Sequence, residues 1–227
     1  MTKFEINIVS DTVCPWCYVG KKRLERAIAQ RQSTHPEDTF STTWAPFYLN
    51  PDAPTTAVDK RAYYASKYGA ARAKMMHAHM AALGKKEGIE FSFGGRIGNT
   101  RASHRLIQLG KTKGERAQTR VVEELFASYF EKEEDITRRD VLAAAGARAG
   151  LDEREVADWL DSGKGGDQVD REVAHAQKHL VTGVPSFTIQ GCYHVHGAEE
   201  PAAFLRIFQQ IAAVEARSAV DGVGRDC

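Results

Sequence analysis

Two cysteines separated by two residues are the part of this sequence best suited to chemistry. Cys14 and Cys17 enclose Pro15 and Trp16 and follow a short run of alternating apolar and polar residues. After Pro15 the pattern becomes helical, and a proline fits the first turn of a helix, where its missing N–H costs nothing. Cys14 is therefore expected at a helix N-terminus, where free N–H groups and the helix dipole stabilise a thiolate.

This arrangement predicts thiol–disulfide exchange. We expect Cys14 to be exposed and to attack a disulfide as a thiolate, and Cys17 to be buried and to resolve the resulting mixed disulfide. The alternatives are two incidental core cysteines or half of a zinc site. A zinc site needs two more ligands, and the sequence has no second pair of cysteines at this spacing, so no metal is expected here.

Three neighbours of the cysteines are expected to tune the pair. Pro15 starts the helix, and Trp16 offers an indole N–H and an apolar face but no charge. Because Trp16 carries no charge, we expect it to stabilise a Cys14 thiolate less than a positively charged neighbour would. Asp11 is either a proton acceptor near the thiols or, as the favoured interpretation, a cap of the turn before the helix.

The elements that must position these residues form two strand-containing ends around a long helical stretch. Residues 58–180 are almost wholly helical in pattern, and residues 201–214 form a terminal amphipathic helix. Neither end has enough strands to fold alone, so an insertion between strands of one sheet explains the order better than three consecutive domains. The predicted strands occupy residues 4–10, 39–49, 184–189 and 192–195.

Composition limits the classes of function. The 227 residues include 31 basic and 30 acidic ones, a formal charge of +1, so the basic excess of a general nucleic-acid binder is missing. No apolar stretch is long enough to span a bilayer, and residues 1–6 lack the continuous apolar core of a signal peptide. These features predict a cytoplasmic protein that binds neither nucleic acid nor membrane.

Four segments resemble those of one known family. Residues 11–20 (DTVCPWCYVG) resemble the active-site segment of DsbA-like thioredoxin-fold proteins, in particular their FrnE-type branch. Residues 182–187 (TGVPSF) look like the cis-proline loop of that family. Residues 99–104 (NTRASH) are similar to a helix start within the family's insert, and residues 196–198 (HGA) look like its junction between the sheet and the last helix.

The resemblance implies an α/β architecture, namely a thioredoxin fold with a large all-helical domain inserted between the two halves of the sheet. Residues 1–56 and 182–215 would form the thioredoxin-like domain, residues 57–181 the inserted helical domain, and residues 216–227 a flexible tail.

The same resemblance implies a substrate cleft beside the catalytic Cys14 and Cys17. An X–Pro bond has a modest cis penalty, and a cis bond before Pro185 would leave the backbone of Val184 free to pair with an extended substrate. His104 could line this cleft from the insert, and a buried structural role for His104 is an equally plausible interpretation. The residues expected to line the cleft are Asn99, His104, Thr182, Val184 and Pro185.

The function that follows is a thiol–disulfide oxidoreductase acting on protein or small-molecule disulfides or thiols. No bound cofactor is expected, glutathione or another thiol would serve as redox partner, and related proteins often pair, which leaves a homodimer open. The alternative is a glutathione-dependent isomerase or transferase acting on a small aromatic or polyketide-type molecule, similar to 2-hydroxychromene-2-carboxylate isomerase and the kappa-type glutathione transferases. These typically carry serine where Cys14 stands. A third hypothesis is a non-catalytic binding or chaperone module.

Overall fold

The computed structural model describes residues 1–221, and the side chains of residues 1–217. No helix in this part of the chain is long and apolar enough to cross a membrane. The strands of the described residues are β1 (Lys3–Ser10), β2 (Thr39–Pro46), β3 (Val58–Asp59), β4 (Arg96–Ile97), β5 (Ser186–Ile189) and β6 (Tyr193–His196).

Helices fill most of the space between β2 and β5. One helix, α1, lies between β1 and β2, seven lie between β2 and β5, and α9 follows β6. They are α1 (Pro15–Thr34), α2 (Lys60–Tyr68), α3 (Ala70–Glu87), α4 (Arg101–Thr112), α5 (Glu115–Phe126), α6 (Arg139–Arg148), α7 (Glu153–Asp161), α8 (Gly166–Lys178) and α9 (Pro201–Asp221), with a π-helical turn at Ala127–Glu131 after α5.

The two ends of the chain form one four-stranded sheet in the order β2-β1-β5-β6. β1 and β2 are parallel, joined by the α1 crossover, whereas β5 is antiparallel to both β1 and β6. The sequence predicted this single sheet because strand patterns occur at both ends of the chain. Successive side chains of β1 point to opposite faces of the sheet, and only one face packs on the core here: Phe4, Ile6 and Ile8 are buried while the residues between them are exposed.

One apolar core joins the sheet to the helices of the insert. From the sheet, Phe187 packs edge-on against Phe204 of α9 with ring centroids 5.0 Å apart. From the insert, Leu106 and Phe126 are fully buried in the same cluster of residues as Phe187. The core is continuous across the expected boundaries at residues 56/57 and 181/182, and the division into domains there stays a prediction.

The β2 edge of the sheet contacts the insert at Trp44. The Trp44 N–H donates to Gln118 Oε1 at 3.1 Å, and Gln118 Nε2 donates back to the Trp44 carbonyl at 2.9 Å. The Trp44 indole also donates to Thr119 Oγ1 at 3.1 Å. An exposed strand edge pairs readily with other chains, and here a side-chain amide of α5 takes the place of a neighbouring strand at Trp44.

Three features of the fold differ from the sequence prediction. The insert contains a two-stranded ladder, with Val58 opposite Ile97. The sequence did not indicate it, because two-residue strands are too short to give a periodic pattern. Within the stretch that the sequence indicated as almost wholly helical, α5 is followed by a π turn, whose Lys132 N–H donates to the Ala127 carbonyl at 3.0 Å.

The third difference concerns the end of the chain. α9 extends to Asp221 instead of ending at residue 214, so residues 216–221 of the expected flexible tail are helical. The residues beyond 214 include Ala, Glu and Arg, which favour helix, and the first glycine comes at position 222. Residues 222–227 lie outside the described part of the chain.

Candidate active site

Cys14 lies at the N-terminus of α1, as the sequence predicts. It is the N-cap residue, with φ −92° and ψ 111°, and Pro15 opens the helix after it. The Cys14 N–H donates to the Asp11 carbonyl at 3.1 Å, and the Cys17 N–H donates to the Cys14 carbonyl at 3.0 Å. The turn that ends β1 therefore leads directly into the first turn of α1, so both cysteines are fixed by backbone hydrogen bonds.

Both thiols are free and both are buried, so the expected exposure of Cys14 is wrong. Cys14 is 3% exposed and Cys17 1% exposed. The cause is a long-range contact, because the loop before β5 reaches Cys14 and its Val184 carbonyl accepts a hydrogen bond from the Cys14 thiol at 3.5 Å. A substrate must displace this contact to reach the sulfur.

The surroundings of the Cys17 thiol keep its proton in place. Burial raises the pKa of Cys17 well above its usual value, and a hydrogen bond with Cys14 and the charge of Cys14 raise it further. Hydrogen bonds from the Ser10 side chain and the Asp11 N–H act in the opposite direction. Cys17 is therefore suited to give a hydrogen bond to a Cys14 thiolate.

The loop carrying Val184 and Pro185 is held against α1. The peptide bond between the two residues is cis, as the sequence predicted. The Pro185 carbonyl accepts the Gly197 N–H at 2.8 Å. A Cβ at Gly20 would come within 2.9 Å of Pro185 Cγ, so the missing side chain of Gly20 is what lets the loop lie this close to the helix. Thr182, earlier in the loop, is exposed.

The insert forms a wall beside the cysteines. Trp16 is 40% exposed, and its ring lies 6.2 Å from that of His79 on α3. Tyr64 on α2 is partly buried; burial raises the pKa of its phenol, and the neighbouring Tyr68 and Cys14 add to this effect. Sequence reasoning missed Tyr64 and His79 because no local pattern indicates which face of a helix will meet residues 50 or more positions away.

Asp11 lies in the turn before Cys14, and its carboxylate is not the turn cap that the sequence favoured. It is 1% exposed, and its Oδ2 accepts the Leu49 N–H at 2.8 Å. The turn is closed instead by the Asp11 backbone carbonyl. The second oxygen, Oδ1, has no hydrogen-bond partner among the described residues and lies 3.4 Å from His104 Nε2.

The two predicted cleft residues of the insert lie at the start of α4. Asn99 is partly buried, and its Oδ1 accepts the Arg101 N–H at 2.9 Å. His104 is 2% exposed, with Nε2 3.1 Å from the Phe47 carbonyl. Their contact with a substrate stays a prediction. No group of three or more His, Cys, Asp or Glu side chains in residues 1–221 is placed to hold a metal ion.

The geometry of the site and the fold agree with the comparisons to known proteins. Residues 5–209 match the model of the DSBA-like thioredoxin domain, and the chain belongs to that family. The four-stranded sheet with its helical insert is thus a thioredoxin-like DsbA fold, as the resemblance implied.

The relatives include proteins of several descriptions. A solved structure described as a probable DsbA oxidoreductase, SCO1869 from Streptomyces coelicolor, is 27% identical, with a TM-score of 0.82 over 91% of this chain and 89% of that one. The uncharacterized protein YwbO of Bacillus subtilis is 26% identical over 81% of this chain and 86% of its own length.

More distant structures share the fold alone. A 2-hydroxychromene-2-carboxylate isomerase is 13% identical, with a TM-score of 0.64 over 97% of this chain and 100% of that one. The cytosolic disulfide reductase DsbM from Pseudomonas aeruginosa, also solved with GSH, is 14% identical, with a TM-score of 0.62 over 92% of this chain and 98% of that one.

Proposed function

We propose that this protein is a thiol–disulfide oxidoreductase in which Cys14 is the nucleophile and Cys17 the resolving thiol. The observation that carries the proposal is the pairing of two free thiols across the first turn of α1, one at the helix N-terminus and the other fully buried. Cys14 stands at the N-terminus of α1, the end of the helix dipole that attracts negative charge. The electrons are carried by the two sulfurs, so the reaction needs no bound cofactor.

The reaction has two steps. The Cys14 thiolate attacks one sulfur of a substrate disulfide, forming a mixed disulfide and releasing the other sulfur as a thiolate. Cys17 then loses its proton and attacks the Cys14 sulfur, which forms the Cys14–Cys17 disulfide and releases the second substrate thiolate. Two electrons pass to the substrate, and the reverse sequence oxidises a substrate dithiol.

The loop before β5 would hold the substrate during these steps. In the free protein the Val184 carbonyl accepts a hydrogen bond from the Cys14 thiol. An extended peptide or a small disulfide that takes the place of this contact gains the Val184 backbone as a partner, with Pro185 beneath it and Thr182 at the exposed side. Asn99 and His104 complete the proposed cleft from the insert.

The substrate class and the redox partner are proposed from the same thiol–disulfide exchange at Cys14. Disulfides of proteins or small molecules are the substrate class, and glutathione is a suitable redox partner because a thiolate at Cys14 exchanges with any accessible disulfide. DsbM, described as a cytosolic disulfide reductase and solved with GSH, supports this choice. We likewise propose a cytoplasmic location, membership of the FrnE-type branch, and pairing into a homodimer.

Trapping of mixed disulfides tests the assignment. Cys17→Ser should accumulate a covalent adduct with a disulfide substrate such as insulin, because attack remains and resolution is lost. Cys14→Ser should give neither adduct nor insulin reduction, and adducts trapped by Cys14→Ser instead would reverse the two roles.

A glutathione-transfer assay on an aromatic substrate separates the isomerase or transferase alternative, which would retain activity in Cys17→Ser. A protein that binds peptide but forms no adduct in any variant would be a non-catalytic binding module.

A further inference from the structure

The loop before β5 begins with an uncommon backbone conformation at Leu180. This residue follows α8 and has a φ of 59°, in the left-handed region that bulky side chains rarely adopt. Its N–H donates to the Gln177 carbonyl at 3.1 Å, and the Val181 N–H donates to the Ala176 carbonyl at 3.1 Å. These two bonds form a Schellman motif, in which glycine usually stands at the position of Leu180. Leucine therefore costs conformational energy here that glycine would not.

Two other non-glycine residues in the described part of the chain have a positive φ, and both make hydrogen bonds with their side chains. Glu133 Oε1 accepts the Gly94 N–H at 2.7 Å. Gln190 Nε2 donates to the Lys3 carbonyl at 2.9 Å. Each of these side chains thus fastens a distant segment of backbone. The side chain of Leu180 cannot do so, because it has no polar atom and is 84% exposed.

The exposure of Leu180 is high for a large apolar residue. Among the side chains that the structure describes, only Met1 at the chain terminus is a more exposed large apolar residue. A single exposed leucine is common on protein surfaces, but this one is also held in a conformation that leucine disfavours. Residues kept in such conformations cluster at binding and active sites. The surroundings of Leu180 in the fold therefore decide what it could bind.

Leu180 belongs to the loop that contacts the nucleophile. It stands four residues before Val184, whose carbonyl accepts the hydrogen bond from the Cys14 thiol. Four residues of fully extended chain span at most about 14 Å, so Leu180 lies within that distance of Val184. Trp16, two residues after Cys14, is also exposed. A peptide bound at Cys14 thus has exposed apolar side chains within its reach on both α1 and the loop.

We propose that Leu180 is a specificity-determining residue that contacts an apolar side chain of a peptide substrate, within about four residues of the cysteine that Cys14 attacks. The inference rests on the proposed function. It names the preferred substrates as disulfides in extended, apolar segments of proteins, whereas oxidised glutathione reacts without this contact. Covering Leu180 removes apolar surface from water, which offsets the conformational energy that leucine costs in the free protein. Leu180 does not touch the reacting sulfurs, so the reactivity of Cys14 itself does not depend on it.

The test compares two peptide disulfides in reaction with the full chain. Each peptide has one cysteine, joined in a disulfide to 2-nitro-5-thiobenzoate, so that exchange releases a coloured thiolate. One peptide carries leucine and the other serine at the positions two to four residues from the cysteine, on both sides. Glutathione in place of the protein gives the intrinsic reactivity of each peptide. After this correction the wild type should react about three- to tenfold faster with the leucine peptide, the scale expected for partly burying one leucine.

Three variants at position 180 separate recognition from folding. Glycine and asparagine tolerate the left-handed conformation, so Leu180→Gly and Leu180→Asn should melt at the same temperature as the wild type or higher. Both should lose the preference for the leucine peptide and keep the rate with oxidised glutathione. Leu180→Met retains an apolar side chain and should retain the preference.

Val214→Asn is the matched control for replacing an exposed apolar residue. Val214 is exposed on α9. It lies beyond Phe208, which packs against Phe4 at the start of β1, whereas Cys14 follows the other end of that strand. Val214→Asn should therefore leave the preference for the leucine peptide unchanged.

The outcomes separate the two proposals. A preference that persists in Leu180→Gly and Leu180→Asn, or that is lost equally in Val214→Asn, would overturn the role of Leu180 while the oxidoreductase assignment stands. A Leu180→Gly protein that changes its molecular mass in solution but not its peptide rates would assign the residue to a contact between copies, and would also overturn that role. A wild type that releases no colour above the Cys14→Ser background with either peptide would overturn the proposed function itself, and the role of Leu180 with it.

Discussion

The two thiols differ in what surrounds them, and this difference sets their proposed roles. Cys14 is the N-cap residue of α1, and its thiol donates a hydrogen bond to the Val184 carbonyl. Cys17 lies one turn deeper, where burial and Cys14 itself raise the pKa of its thiol. A thiol that keeps its proton can stabilise its neighbour's thiolate, so the asymmetry favours Cys14 for attack and Cys17 for resolution.

Trp16 is the uncharged residue directly before Cys17 through which the proposed redox couple can be tested. It is 40% exposed and uncharged, so Trp16→His places a partly protonated imidazole beside Cys14. The cation stabilises the reduced thiolate form, which should make the disulfide more oxidising. The glutathione equilibrium should shift by less than about tenfold, or about 30 mV.

The pH dependence identifies the cause of that shift. The effect should grow as pH falls toward about 6.5, where an imidazole gains its charge. A potential that stays unchanged at every pH while peptide binding weakens would mean that Trp16 acts only as an apolar contact. Glutathione equilibria of the two proteins, measured at several pH values, distinguish these results.

At the residue scale the sequence identified the cysteines but not their environment. The C-x-x-C spacing and the strand-to-helix context are local, so the placement of Cys14 at the helix N-terminus could be predicted. The burial of Cys14 depends on Val184, which is 170 residues away. The contact between Asp11 and His104 joins a residue next to the sheet to a residue of the insert. No local sequence pattern predicts a contact between residues so far apart in the chain.

Among the elements, the packing of α1 on the loop before β5 matters most to the site. Gly20→Ala would favour the helix by up to about 1 kcal/mol on propensity alone. Its Cβ, however, would lie 2.9 Å from Pro185 Cγ and 3.1 Å from Phe187 Cζ. We expect the loop to be displaced, with a net loss of about 1–3 kcal/mol of stability and slower insulin reduction.

A second substitution on the same helix controls for propensity. Ala29 is exposed, so Ala29→Gly should lower the free energy of unfolding by about 1 kcal/mol while leaving insulin reduction unchanged. Urea unfolding and the reduction assay on both variants provide the comparison. Gly20→Ala protein as stable and as active as the wild type would contradict the proposed importance of this packing.

A buried carboxylate, Asp38, lies directly before β2 and stabilises the start of this strand. Asp38 accepts the Thr2 N–H and pairs with Arg31 at 2.7 Å. Burial alone would raise the pKa of Asp38, but the hydrogen bonds from Thr2 and Arg31 and the charge of Arg31 outweigh it and lower the pKa. A lowered folded-state pKa means that this stabilisation is present above the unfolded value of about 3.9 and is lost as pH falls through the folded value.

Asp38→Asn tests whether the pKa of Asp38 is lowered in the folded protein. Near pH 7 the variant should be less stable by about 1.5–3 kcal/mol, the range for hydrogen bonds to charged groups. The difference from the wild type should stay constant down to about pH 5 and narrow below about pH 4. Unfolding curves across this range measure it, and a difference that widens in acid would show that the pKa of Asp38 is raised instead.

Element types were easier to predict from sequence than their limits and pairings. The alternation of β1 and the amphipathic helices are local signals, and they gave the single sheet with its insert. The β3–β4 ladder joins residues 39 positions apart through two-residue strands, and the π turn depends on packing around Phe130, whose carbonyl accepts the Ser92 N–H. Both depend on tertiary contacts rather than on periodicity.

Across the whole molecule, the insert is attached to the sheet by its core and by buried charges. Glu87 of α3 is 3% exposed at its side chain and pairs with Arg23 at 2.8 Å and Arg26 at 2.7 Å. Arg23 also bonds the Ala198 carbonyl and Glu200 before α9. These contacts join α1, the insert and the end of the sheet, so the wall containing Tyr64 and His79 is held in a fixed position beside Cys14.

The central claim is that Cys14 and Cys17 form a reversible two-electron couple. Equilibration of the whole protein with mixtures of reduced and oxidised glutathione, followed by acid quenching, thiol alkylation and mass measurement, tests it most directly. The account predicts a single transition with a two-electron slope, in which the oxidised species carries an internal Cys14–Cys17 disulfide and no glutathione. Protein that carries only a glutathione adduct on Cys14, or that keeps both thiols alkylated at every ratio, would contradict it.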